Sequence, residues 1–342
     1  MTTPKVLVTG ASGFIAKHCI AELLRRDFPV QGTLRDPGRA DDVRRIIART
    51  GLDASSVNFT TADLLHDDGW DEAMAGCTYV LHVASPFPLR EQSDPNELIR
   101  PAREGTLRVL KAATRAGVKR VVQTSSVVAI TLTWPEVPLD HVFTEKDWSN
   151  PDRPDITPYV VSKTLAERAA WDFVKGQTDA PELTVVNPAF VLGPALDPDL
   201  STSHEVLRLM GTGAYPAAPK VGFPVSDVRD VAVTHALAMV HQQAAGHRFI
   251  SANGFLRLIE VAHVMVEALP DLKRKVPNSE MPDFLVRAFS LIDRRLKAVL
   301  PDLGHPRPVS NAKATMILDQ SFRPAEEAAK SAVESLRKLR VI

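Results

Sequence analysis

Two hydrophobic periods alternate through the first half of the chain. Short runs rich in β-branched and aliphatic residues, Lys5 to Thr9, Val30 to Leu34, Val57 to Thr61, Tyr79 to Val83, Arg120 to Thr124 and Leu183 to Val186, predict strands. Between them, apolar positions three and four apart predict helices over Phe14 to Arg26, Ala40 to Thr50 and about Pro95 to Arg115. A further helix is expected to start at Thr157-Pro158, an N-cap followed by proline at the first helical position. Strands alternating with helices build a parallel sheet covered on both faces, so the expected class is α/β, a doubly wound Rossmann-type sheet. Beyond Pro188 the periodicity gives way to scattered Pro and Gly, from Gly193-Pro194 through Pro198, Gly211, Gly213, Pro216 and Pro219 to Pro224, which predicts specificity-bearing loops. The chain is expected to rejoin the core over Asp227 to Met239 and Arg248 to Ile250 before a last helical region.

Size and charge narrow the picture. At 342 residues the chain exceeds a usual single core, which leaves room for a smaller appended region. Lys plus Arg equals Asp plus Glu at 41 each, which removes any electrostatic case for nucleic acid or an anionic membrane as a partner. Cys19 and Cys77 form neither a disulfide framework nor a zinc-ligand spacing. His235 and His241, six apart, do not share a helix face, so no metal site is expected. The first residues run straight into a strand and no apolar stretch is long enough to span a bilayer, which predicts a soluble, cytoplasmic protein. The amphipathic stretch from Phe284 to Leu300, with Arg287, Arg294, Arg295 and Lys297, reads as a domain helix packed over the substrate side with a solvated face.

Candidate chemistry begins at Thr9-Gly10-Ala11-Ser12-Gly13-Phe14-Ile15-Ala16, between a strand and an amphipathic helix. Glycines there let the backbone approach a pyrophosphate, and the helix N-terminus supplies unpaired N–H donors and a positive dipole end. The spacing is not G-x-G-x-x-G, since Gly10 and Gly13 are three apart and Ala16 stands where a third glycine is common. At the end of the second strand the chain reads Leu34-Arg35-Asp36-Pro37-Gly38-Arg39. A carboxylate in that place suits the ribose 2′-hydroxyl of NAD and arginine the 2′-phosphate of NADP. Asp36 leaves both open, although two arginines around a proline turn suit a phosphate better than a diol. On these grounds residues 1–188 are expected to form a dinucleotide-binding domain to which 225–252 return. Residues 189–224 and 253–320 are expected to form the substrate-binding region, and 321–342 a C-terminal helix.

Tyr159 and Lys163, four apart in Thr-Pro-Tyr-Val-Val-Ser-Lys, share one helix face, and Ser125-Ser126 ends the strand before them. A phenol is a poor proton carrier near neutrality; a neighbouring ammonium favours its ionised form and brings it into range. The set points to hydride-transfer chemistry at a carbonyl or an alcohol.

In this order and spacing the chain resembles the extended short-chain dehydrogenase/reductases, and within them the dihydroflavonol-reductase-like and yeast methylglyoxal-reductase-like aldehyde and ketone reductases. The resemblance rests on Val8 to Ile15, Ala62-Asp63-Leu64, His82 to Pro86, Thr124-Ser125-Ser126, Tyr159 to Lys163, Asn187-Pro188 with Gly193-Pro194, and Asp227 to Val231. It implies NADP(H) as cofactor. Gly10, Ser12, Gly13, Phe14 and Ile15 would then cradle the pyrophosphate, and Arg35 with Arg39 would hold the 2′-phosphate. Asp63 with Leu64 would meet adenine, Ala84 the ribose and phosphates, Pro188 to Val191 the nicotinamide, and Ser203 the region near the pyrophosphate. Ser126, Tyr159 and Lys163 would be catalytic, with Lys163 also bonding the nicotinamide ribose.

In the reductive direction Ser126 would polarise the carbonyl oxygen and Tyr159 deliver the proton. Expected substrate walls are Pro86-Phe87-Pro88-Leu89, Thr131, Trp134, Phe190, Leu192, Leu196 and Met210 to Tyr215, mostly apolar, so a bulky or aromatic carbonyl compound or alcohol fits better than a nucleotide sugar. Thr131 departs from the plant dihydroflavonol reductases, which carry asparagine five residues after the catalytic serine. Two other readings stay open, a nucleotide-sugar epimerase or dehydratase with bound NAD and an NADP-binding sensor without turnover. The chain is expected to be a monomer or homodimer.

Overall fold

The structure, a computed structural model, describes residues 3–85, 94–133, 136–293, 296, 297 and 299–342. The expected walls Pro86, Phe87, Pro88, Leu89 and Trp134, and the cations Arg294 and Arg295, lie outside the described residues.

Seven parallel strands form the central sheet: β1 (Lys5–Val8), β2 (Val30–Leu34), β3 (Asn58–Thr61), β4 (Cys77–His82), β5 (Arg120–Thr124), β6 (Glu182–Pro188) and β10 (Arg248–Ser251). Their spatial order is β3-β2-β1-β4-β5-β6-β10. All neighbours pair in parallel, with Val6 opposite Val30 and Tyr79 on either side of β1, and Val121 opposite Leu183. Sequence order reverses between β1 and β4, and the crevice outside the carboxyl ends of those strands is where open α/β sheets bind ligands.

Helices cover both faces, as the two periods in the sequence require. On one face α1 (Phe14–Arg25) packs against α7 (Val228–Val240), with α2 (Ala40–Ala48) beside them; Ile20, Leu23, Ile47, Met239 and Phe249 are fully buried there. On the other, α4 (Asn96–Arg115) packs against α5 (Pro158–Lys175) next to the short α3 (Trp70–Met74), around Trp70, Met74, Leu110 and Leu183. Apart from the edge strand β3, whose residues are exposed or half-buried, the parallel strands are buried on both faces, which is why they read as continuous rather than alternating apolar runs.

The stretch after Pro188 is more regular than its prolines suggest. α6 (Thr202–Gly211) starts at Ser201, whose hydroxyl accepts the N–H of His204. Pro194 and Pro198 precede this helix and Pro216 follows it, so none removes a hydrogen bond from it. A second sheet, β11-β9-β7, joins β7 (Phe190–Leu192), β9 (Gly222–Asp227) and β11 (Phe255–Arg257), beside the two-residue strands β8 (Ala218–Pro219) and β12 (Glu280–Met281). β9 stays with this smaller lobe, and the chain returns to the large sheet through α7 and β10. α8 (Leu258–Ala268) and α11 (Ala325–Lys338) pack together in the smaller lobe, sharing a core with Leu207, Met210 and Val225. In the amphipathic stretch after Pro282, Asp283–Phe289 forms the short helix α9, and α10 (Ala312–Leu318) packs on α7 and β10. No helix among the described residues is long and apolar enough to cross a membrane.

Candidate active site

The Gly-rich turn lies at the switch point. Gly10 takes φ +66, and a Cβ there would stand 3.0 Å from the Cβ of Ala84 just past β4, so only glycine allows the two backbones to approach this closely. Thr9 ties the two strand ends together: its hydroxyl accepts the Ala84 N–H at 2.9 Å and lies 3.0 Å from His82 Nδ1. Gly13 is the N-cap of α1 with no side chain to cap it, and the first turn holds no acidic residue. The helix therefore offers its N-terminal amides and positive dipole end to an anion, as a dinucleotide pyrophosphate requires. Ser12, Phe14 and Ile15, each partly buried, complete the turn, and Phe14 meets His204 edge-on at 4.6 Å, which brings the first turn of α6, with Ser203, beside it.

Of the residues expected at the adenosine, Arg35 and the adjacent Asp36 are exposed, and Arg39, Asp63 and Leu64 are partly buried. Asp36 accepts the N–H of Gly38 at 2.9 Å and caps the 3-10 turn Pro37–Arg39, so local backbone geometry occupies its carboxylate. Arg35 is exposed, and Arg39 reaches Asp199 at 3.3 and 3.4 Å through its two terminal nitrogens. Asp63 holds the turn after β3, accepting the N–H of Leu65, and Leu64 packs on Gly105 of α4.

Ser126, Tyr159 and Lys163 converge from two elements. Ser126 ends β5 in an extended conformation and caps the turn Val127–Ala129, its Oγ 3.3 Å from the N–H of Val128. α5 begins at Thr157, whose hydroxyl accepts the Val160 N–H, with Pro158 at the first helical position. Tyr159 then lies in the first turn and its hydroxyl bonds the Ser126 side chain; Lys163 follows one turn later, buried. A cavity of about 10 Å³, room for roughly one water, is lined by Ala84, His82, Gln123, Ser125 and Lys163, so Lys163 shares it with Ala84, the residue against which Gly10 packs.

The electrostatics differ from the sequence expectation in one respect. Burial pushes the Tyr159 phenol above its ordinary value, opposed only in part by the bond to Ser126. Burial also brings Lys163 down to about 8, with Glu167 acting to raise it. The lysine was expected to make the phenol more acidic; desolvation of both groups overrides that in the protein alone. Tyr159 is a neutral phenol near neutral pH, the form that donates a proton. His82, held to about 3 by burial and by Lys163, is neutral beside it.

Among the expected substrate walls and the nicotinamide segment, Phe190 stacks on Phe223 at 5.4 Å and is partly buried, as are Val191 and Tyr215. Pro188, at the end of β6 opposite Ser251, and Thr131, just after the Ser126 turn, are buried. Met210 is 2% exposed and belongs to the apolar core of the smaller lobe, packing inward from α6. Helical spacing explains this: Leu207 and Met210 are three apart on the buried face.

Beneath the trio lies a buried polar cluster that the sequence reading passed over. Glu167, fully buried, accepts Ser125 Oγ at 2.5 Å, Asn187 Nδ2 at 3.0 Å and Arg248 Nε at 2.5 Å. Asn187 Nδ2 also donates to the carbonyl of Ser126 at 3.1 Å. Glu167 stands four residues after Lys163 on the buried side of α5, between Ala166 and Ala169–Ala170. No group of three or more potential metal ligands occurs among the described residues.

The family model described as NAD dependent epimerase/dehydratase matches residues 6–250. The chain is 37% identical over 275 residues to cinnamoyl-CoA reductase CAD2 of Medicago truncatula, covering 78% of this chain and 82% of that protein. It is 30% identical over 347 residues to ketoreductase azaE of Aspergillus niger, covering 97% of each. Among solved structures it resembles yeast methylglyoxal/isovaleraldehyde reductase Gre2 complexed with NADPH, at TM-score 0.80 and 28% identity over 99% of this chain and 100% of that one.

Proposed function

We propose that this chain, which belongs to the NAD dependent epimerase/dehydratase family within the extended short-chain dehydrogenase/reductases, reduces a bulky or aromatic aldehyde or ketone to an alcohol. It is an NADP-dependent oxidoreductase acting on a small molecule, in keeping with its reductase relatives. One observation carries the assignment of chemistry: the hydroxyls of Ser126 and Tyr159 are bonded to each other, and Lys163, one turn along, lines a cavity with Ala84, against which Gly10 of the glycine turn packs.

Gly10 to Ile15 would hold the pyrophosphate, Arg35 and Arg39 the 2′-phosphate, and Ala84, Pro188, Val191 and Ser203 the remainder, with Asp63 and Leu64 at the adenine. When bound, NADPH supplies the hydride. Ser126 orients the substrate oxygen by a hydrogen bond that strengthens as negative charge builds there. Tyr159, neutral in this setting, gives its proton to that oxygen. Lys163, charged below about pH 8, steadies the phenolate left behind. Phe190, Tyr215 and Thr131 would border the substrate.

The test is a panel of aldehydes and ketones followed by NADPH oxidation, run beside UDP-sugars. Turnover of aromatic or branched carbonyl compounds is expected. Robust epimerisation of a UDP-hexose with a cofactor that does not exchange would overturn the reading.

A further inference from the structure

We propose that Glu167 is a positioning residue of this site, its buried carboxylate serving both as counter-ion to Lys163 and as anchor of the Ser125–Ser126 turn. The inference rests on the reductase reading and extends it to a group that touches neither substrate nor cofactor.

The geometry runs in two directions from one carboxylate. Towards the sheet, Oε2 takes Ser125 Oγ at 2.5 Å and Asn187 Nδ2 at 3.0 Å, and that same Nδ2 grips the Ser126 carbonyl at 3.1 Å. Ser125 is pinned again by its N–H to the carbonyl of Val186 at 2.8 Å. The turn that aims the Ser126 hydroxyl at Tyr159 is thus held from below by α5, the helix that carries Tyr159. Along the helix, Tyr159, Lys163 and Glu167 follow at intervals of four and share a face.

One cation is bonded to Glu167, and a second lies one helical turn from it on the same face of α5. Arg248 bonds Oε1 at 2.5 Å, donates to the carbonyls of Glu145 and Asp147, and lies 3.8 Å over the ring of Trp148. Lys163 is the second. Among the described residues, the titratable or charged groups around it are Tyr159 and Glu167 on α5 and the neutral His82 on β4. Glu167 is therefore the negative charge that offsets burial of the ammonium. A buried ion pair of this kind gives little net stability over apolar residues of the same volume. Its use here is to keep Lys163 charged at the pH where Tyr159 must give up its proton.

The experiment must separate this role from mere neutralisation of Arg248. Glu167→Gln keeps an oxygen for Ser125 and Asn187 but leaves Arg248 unpaired and risks misfolding, so Glu167→Gln with Arg248→Met is made alongside it. Loss of the opposite charge one helical turn away lowers the Lys163 midpoint by about one unit from its value of about 8. The alkaline limb of kcat should move down equally, so that kcat at pH 8 falls roughly fivefold and kcat at pH 6 changes little, with the NADPH Kd unaltered at pH 6. Glu167→Met with Arg248→Met also removes the acceptor for Asn187, and should add a loss of kcat that is the same at every pH.

The midpoint is also read without turnover, from the ¹⁵N shift of Lys163 Nζ in lysine-labelled protein, assigned with Lys163→Arg. A wild type that turns over no carbonyl compound defeats the reductase reading, while this titration still decides the role of Glu167. If Glu167→Gln with Arg248→Met leaves both the limb and the Lys163 midpoint in place, the carboxylate serves only Arg248 and the proposal is wrong.

Discussion

Removing Arg39 should separate the two nicotinamide cofactors by an amount that follows from its surroundings. Its guanidinium is 39% exposed and already reaches Asp199, itself 59% exposed, at 3.3 Å. An exposed pair of that kind is worth about 0–1 kcal/mol. A charge-assisted contact to the 2′-phosphate is worth about 1.5–3 kcal/mol, from which displacing Asp199 must be subtracted. The remainder, about 1–2 kcal/mol, corresponds to roughly five- to thirtyfold in affinity. Arg39→Ala should therefore weaken NADPH binding by about tenfold and leave NADH within about twofold, as measured by quenching of protein fluorescence with each cofactor. The gap should narrow above about 0.15 M salt, where exposed charges are screened within about 8 Å. Equal loss of both cofactors would refute the reasoning, because it would place Arg39 at a part of the nucleotide that NADH shares.

Other outcomes follow from the same geometry. Tyr159→Phe removes the proton donor and its bond to Ser126, so kcat should fall by roughly 10²-fold or more with NADPH affinity kept; near-normal turnover would end the mechanism. Because Lys163 is lowered from its ordinary 10.5 to about 8, the unfolded chain binds the extra proton between those values. Stability should accordingly rise with pH across that window while kcat declines, and Lys163→Met should flatten the first trend in urea melts at stepped pH. His82, His18 and His235 are buried and neutral at about 3, 4 and 4, so each should withdraw about 2 kcal/mol of stability by pH 5 as the unfolded chain protonates from about 6.5 downward. His82→Gln should remove its share of that acid sensitivity. Gly10→Ala, strained at φ +66 and pressed against Ala84, should lose both stability and cofactor binding, seen as a lower Tm that added NADPH no longer raises.

The parallel sheet was legible because buried strands and amphipathic helices leave different periods in the sequence, and the strand and helix starts at Lys5, Phe14, Val30 and Ala40 coincide with those seen. The smaller lobe was not. Its strands β7 and β11 have three residues each, too short for an alternating pattern, and the prolines around α6 masked a helix that they only flank. Within the site, Tyr159, Lys163 and the glycine turn announce themselves by spacing along one element. Glu167 acts through Asn187 and Arg248, which are 20 and 81 residues away in the chain. No local window contains that cluster, and a charged residue mid-helix reads as a solvated one until the packing is seen. The reversed shift of Tyr159 has the same origin, since desolvation depends on what covers the pair.

A doubly wound sheet with a nucleotide turn serves epimerases and reductases alike, so the fold does not choose between them. What separates them is the second ligand. A sugar nucleotide brings a diphosphate that must be met by cations not already neutralised within the protein. In the smaller lobe Arg208 is bound by Glu205 and Arg257 by Glu260 and Glu280, and at the start of α7 Arg229 is bound by Asp227 and Glu327. Committing any of them to a diphosphate would strand its carboxylate partners, and for Asp227, almost wholly buried, that cost is large. Near β7, by contrast, the Phe190–Phe223 stack offers an aromatic surface that needs no counter-charge. An apolar carbonyl compound can be held there by contact area alone, leaving the polar demands of its one oxygen to Ser126 and Tyr159.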